Sequence, residues 1–171
     1  AWRHFGGIEF LHRVAGSKGY MARSAILPHE HLPSGLWANS TTIPGWIFKS
    51  DTSSDEVIGH MLIMPLVHEL LAETEEEKKL VKTLFLDTLD HIIANNYRLV
   101  DPVTGNGTRW GFWDPDSFKN PENGEEIALN SLQILVYLLV GHSYTGDAKY
   151  LEHFNKLAHT HHYALNIRNT K

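Results

Sequence analysis

Asp51 and Asp55 flank the hydroxyl run Thr52-Ser53-Ser54, directly ahead of a long apolar stretch. A pair of carboxylates is the usual apparatus of glycoside hydrolysis, one serving as acid and the other as nucleophile or base. Helical spacing from residue 53 onward puts Asp55 on the face of Gly59 and Glu56 on the face of His60. Gly59 would let a ligand or a helix come close, and His60 is within reach of acid/base work from the first turns. The ordinary alternative is that Ser53 and Asp55 cap a helix and favour its positive end. His60 is then a satisfied core histidine.

A second group is Thr108-Arg109-Trp110-Gly111-Phe112-Trp113. Indole faces stack on sugar rings through apolar C–H surface, with polar neighbours setting orientation. Arg109 can fork onto a carboxylate such as that of a uronic acid. Trp46 offers a third stacking surface. Plugging of the loop onto a core is the structural role open to Trp110 and Trp113. Arg23 either holds a substrate carboxylate or bridges to Asp51 or Asp55. Asn130 and Gln133 open an apolar helix three residues apart, and buried amides need partners, a sugar hydroxyl or a loop backbone.

The 12 histidines form no zinc signature. His29-Glu30-His31 has the wrong spacing for HExxH. His159 and His162 meet at i,i+3 on a continuous helix, which is adventitious at best. No metal and no cofactor is expected.

The elements that must position these groups read as helices. Residues 3–15 form a short one, stopped by Gly16 and Gly19. Residues 16–52 read as a long ordered loop with an extended piece near Tyr20–Ile26. Ser53 with Glu56, and Thr74 with Glu77, are capping boxes. They open a helix from 53 to 71, apolar on nearly every face and kinked at Pro65, and an amphipathic one from 75 to 95. A loop of about 30 residues follows, a length that marks function in compact domains. A second apolar helix, 127–143, and a second amphipathic one, 148–163, complete the pattern. Two buried-plus-amphipathic pairs indicate a stacked αα-hairpin array.

The turn Thr145-Gly146-Asp147-Ala148-Lys149-Tyr150 after an apolar helix resembles the hairpin turn of six-hairpin (α/α)6 toroid glycosidases. Asp51-Thr52-Ser53-Ser54-Asp55 is similar to pocket-facing segments of that superfamily. The resemblance, over about residues 45–165, implies an all-α domain spanning 1–171. A full toroid has twelve helices, so it also implies part of a larger toroid, completed by more chain or by other copies.

Composition is that of a globular protein, 42% hydrophobic and 20% charged. The net charge of -5 argues against a nucleic-acid binder. The longest uninterrupted apolar run, Ile134–Val140, is too short for a membrane span. Absence of cysteine excludes disulfides and thiolate chemistry. Ala1 in place of methionine implies processing or an excerpt. The sequons at Asn39 and Asn106 are common by chance.

The expected function is a glycoside hydrolase acting on an oligosaccharide or polysaccharide, uronic acids included. Asp51, Asp55 and His60 are its catalytic candidates. Arg23, Trp46, Arg109, Trp110, Trp113, Asn130 and Gln133 are its substrate contacts. An extracellular or periplasmic setting follows from that substrate. The alternatives are a lyase using His60 and a tyrosine such as Tyr20, a non-catalytic glycan-binding or scaffold domain, and a protein-binding helical repeat.

Overall fold

The computed structural model describes residues 2–28, 30 and 32–168. His29 and His31 lie outside the described residues. The fold is α+β, with six helices and two small antiparallel sheets among those residues. The all-α toroid expectation is therefore corrected. The helices are too few for six hairpins, and three short strands lie within the stretch read as loop. The chain forms two compact units, Ala1–Gly111 and Phe112–Lys171.

In the first unit, helix α1 (Trp2–Ala15) ends at Gly16, whose φ is 67°. Three strands follow: β1 (Ser24–Ile26), β2 (Trp37–Asn39) and β3 (Ile47–Lys49). β3 lies in the centre, antiparallel to both others, with Phe48 opposite Ala25 on one side and Ala38 on the other. Each strand has only three residues, too few to show an alternating pattern in sequence. Helix α2 (Ser54–Leu70) begins where the capping box predicts. Glu56 Oε2 accepts the Ser53 N–H at 2.8 Å and its hydroxyl at 2.6 Å. The helix continues through Pro65. Helix α3 (Glu75–Ala94) starts at the second box, with the Glu77 N–H on Thr74 Oγ1 at 3.2 Å.

α2 packs on α3. Val57, Met61 and Met64 of α2 and Val81, Phe85, Leu89 and Ile92 of α3 are all buried. α2 is not buried all round: Leu62, Leu66 and Leu70 face outward, 63%, 45% and 74% exposed. The unit closes with a hairpin of β4 (Arg98–Val100) and β5 (Gly107–Phe112).

In the second unit, helix α4 (Ile127–Thr145) ends at Gly146, left-handed at φ 69° as a C-terminal glycine should be. It packs on α5 (Ala148–Asn155), which runs on into a π turn over Lys156–Thr160, and on α6 (Tyr163–Asn166). The outer helix expected over 148–163 is thus broken before His162, whose φ is 61°, and His159 and His162 do not share one helix. Leu129, Leu132, Val136 and Leu139 make an outward stripe on α4. α4 is the one described helix long and apolar enough to cross a membrane by length and composition, which a count of uninterrupted apolar residues missed. Its core face carries the buried polar residues Asn130, Ser131 and Gln133.

Candidate functional site

Asp51 sits between β3 and α2 with φ at 56°, a left-handed conformation that aspartate tolerates better than most residues. Backbone strain of this kind persists only where surroundings hold it. Here the Asp51 N–H donates to Asp101 Oδ2 at 2.7 Å, and Asp51 Oδ1 accepts the Arg109 N–H at 2.9 Å. The β3–α2 junction is so tied to the β4–β5 hairpin at both ends of one residue.

Asp101 is the centre of that tie, and sequence reasoning missed it. Its side chain is buried. Oδ2 accepts the Ser50 hydroxyl, the Tyr20 hydroxyl at 3.2 Å and the Asp51 N–H. Oδ1 accepts the N–H groups of Val103 and Thr104 at 2.7 and 3.2 Å, which shapes the hairpin turn. Burial pushes its carboxyl upward, the largest single influence. The donors from Ser50, Asp51, Val103 and Thr104 outweigh it and hold the group below the usual carboxylate range. Burial also drives the Tyr20 phenol up, to about 12. The available signal was Asp101-Pro102 followed by Gly105-Asn106-Gly107, an aspartate opening a turn.

Asp51, Asp101 and Arg109 line a cleft of about 340 Å³ with Leu36, Thr104, Asn106, Gly107 and Thr108. Among the described residues no protein donor reaches Asp51 Oδ2 and no carboxylate pairs with the Arg109 guanidinium. That guanidinium stands 4.9 Å over the half-exposed Trp110 ring. A second groove, about 290 Å³, runs past Glu9, His12, Arg13, Lys18 and Asp87. Its charges are spent on one another: Arg13 pairs with Glu9 at 3.0 Å and Lys18 with Asp87 at 3.2 Å.

The other candidates of the first unit lie elsewhere. Asp55 is exposed in the first turn of α2 and does not line the cleft. Arg23 is a structural bridge, with Nε on Glu56 at 3.1 Å and Nη1 on the Asp51 carbonyl at 3.4 Å. Trp46 meets Phe10 of α1 edge-on, centroids 4.8 Å apart. His60 is buried, with Nδ1 3.1 Å from His12 Nε2. Burial lowers both rings, His12 to about 3 with the help of His60, and His60 to about 4 against the pull of Glu56. Both are neutral core histidines.

The remaining candidates build the second unit's core. Trp113 is fully buried, so neither ring face is open to a sugar. Its Nε1–H donates to Gln133 Oε1 at 2.8 Å and its carbonyl accepts the Tyr163 hydroxyl at 2.7 Å. Asn130 Nδ2 donates to the Phe112 carbonyl at 3.0 Å. Asn130 and Gln133 thus anchor the segment leading into α4. Among the described residues no three His, Asp or Glu side chains converge in a metal-binding group.

Comparison with family models, with curated proteins and with solved structures finds no match. Function therefore has to be read from the chemistry of the site.

Proposed function

We propose that the cleft beside Asp51 and Arg109 binds a short saccharide and does not cleave it. One observation carries the reading: among the described residues, a carboxylate oxygen that no protein donor reaches and a guanidinium that no carboxylate pairs with border one cleft that also offers the Thr104 and Asn106 side chains. Vicinal hydroxyls are matched by such a set, because a carboxylate accepts two and an arginine fork donates two hydrogen bonds. Trp110, next to the cleft-lining Arg109, supplies an apolar ring face partly covered by the guanidinium. The cleft volume lies at the lower end of small-molecule sites.

Binding is favoured over hydrolysis because hydrolysis needs two working carboxyl groups. Asp101 is saturated by five donors and held ionised, so it has no proton to give. Asp55 does not line the cleft. Among the described residues lining the cleft, Asp51 is left as the single available carboxylate.

The test is calorimetric titration of the full chain with neutral, amino and uronic-acid oligosaccharides, followed by mass analysis of the recovered sugars. Saturable binding is expected, weakened about ten-fold or more in Arg109→Ala and in Asp51→Asn, with every sugar recovered intact. No binding by any saccharide overturns the reading. Recovery of fragments carrying added water replaces it with hydrolysis.

A further inference from the structure

The chain contains the dipeptide Asn-Gly twice, at Asn106-Gly107 and at Asn123-Gly124, and the fold treats the two differently. We propose that Asn106-Gly107 is a self-modifying site, where the Gly107 backbone nitrogen attacks the Asn106 side-chain carbonyl. The new bond joins Gly107 N to Asn106 Cγ, and the Cγ–Nδ2 bond breaks. Nδ2 leaves as ammonia, carrying the proton lost by Gly107. Water then opens the five-membered imide. Attack at Cγ gives aspartate, and attack at the backbone carbonyl gives isoaspartate. The net change is amide plus water to acid plus ammonia, with no oxidant or cofactor.

Geometry selects the first pair. Asn106 and Gly107 are both exposed where the hairpin turn enters β5. The Asp101 N–H donates to the Asn106 carbonyl at 2.8 Å. In a planar trans peptide the N–H points opposite to the preceding C=O, so the Gly107 N–H is directed away from Asp101. Glycine adds no side chain to block the attack and takes up the backbone rotation it requires. The Asn106 side chain is held only by an exposed bond from Nδ2 to the Thr104 carbonyl, 3.2 Å long.

At the second pair both reacting groups are engaged. The Gly124 N–H donates to the Pro121 carbonyl at 3.2 Å within a 3-10 turn. The Asn123 amide donates to the Ser117 carbonyl at 2.8 Å, and Asn123 is half-buried. Attack there requires the turn to open first.

The product changes the cleft. Asn106 lines it with Asp51 and Asp101, so a third carboxylate joins two, facing the single guanidinium of Arg109. Isoaspartate also inserts a methylene into the chain at the start of β5 and displaces the strand that places Arg109. The cleft therefore carries its own clock, whatever ligand it takes.

The experiment is incubation of the folded chain in mildly alkaline buffer, then trypsin digestion and mass analysis. Peptide 99–109 contains Asn106 and peptide 120–149 contains Asn123. An isoaspartyl methyltransferase counts the isomerised product. Asn106 is expected to convert about ten-fold faster than Asn123, whose turn must open before its groups can react. In denaturant the two rates should come within a few-fold of each other, and Asn106→Gln should remove the fast reaction from the folded chain. Comparable rates in the folded chain overturn the proposal. So does a rate gap that survives denaturation, since sequence would then set it.

Discussion

Lowering the pH should destabilise the first unit through His12 and His60, and the size of the effect follows from their burial. The two rings are 7% and 9% exposed and share one hydrogen bond, which needs one donor and one acceptor nitrogen. Burial holds their pKa values near 3 and 4 in the folded chain, against about 6.5 for a free histidine. A base with a depressed folded pKa contributes stability that is complete above the unfolded value and is lost as pH falls below it. Between pH 6.5 and 4 the unfolded chain takes up both protons and the folded chain neither. Linkage then gives a slope of at most about 2.7 kcal/mol per pH unit. Integrated from neutrality to pH 5, the loss is about 4 kcal/mol, a large part of a typical domain's stability.

The assay is urea unfolding at a series of pH values between neutrality and 5. It is followed by tryptophan fluorescence, in which Trp46 reports on α1 through its contact with Phe10. His60→Gln keeps an amide opposite His12 and removes one titrating ring, so the loss should fall to about 2 kcal/mol. His91, also lowered by burial, is present in both proteins and cancels in the comparison. Glu56 is the charged group facing His60, and the variant leaves it in place. Equal pH slopes for the parent and His60→Gln would refute the argument, because the rings would then be titrating freely in the folded protein.

Other perturbations separate the remaining supports. Asp101→Asn places an amide group where donors now converge and should cost about 2 to 4 kcal/mol by urea unfolding; a change under half a unit would mean the hub is dispensable. Gly19→Ala drives a methyl into the Asp87 carbonyl at a φ of 77°, so a loss of at least about 2 kcal/mol is expected, read as a lowered melting temperature. Tyr163→Phe removes the hydroxyl bond to the Trp113 carbonyl and should cost about 1 kcal/mol in the second unit, measurable by amide exchange of α6. Trp110→Ala should lower saccharide affinity without changing the urea midpoint, since the ring is half-exposed.

The sequence by itself determined what is local. Capping boxes at Ser53 and Thr74 marked the starts of α2 and α3, and Thr145-Gly146-Asp147 marked the turn after α4. These signals lie within one helical turn, where backbone donors and their side-chain partners are neighbours in the chain. Asp51 and Arg109 were also singled out from the sequence, each for its own chemistry. Their meeting, 58 residues apart along the chain, was not visible there.

Tertiary structure decided the rest. Strands of three residues carry too little periodicity to be read, and β3 becomes central only by pairing with both β1 and β2. The apolar helices suggested a fully buried inner layer, but hydrophobic content does not say which face is covered, and Leu62, Leu66 and Leu70 remain outside. Two tryptophans three residues apart looked interchangeable in sequence. Packing left Trp110 half-exposed under Arg109 and buried Trp113 around a hydrogen bond to Gln133. Asp101 carried no chemical motif, yet it organises the cleft, because a buried carboxylate is tolerated only where distant donors gather around it. Local hydrogen bonds are encoded in neighbouring residues, whereas burial and charge pairing depend on what the folded chain brings alongside.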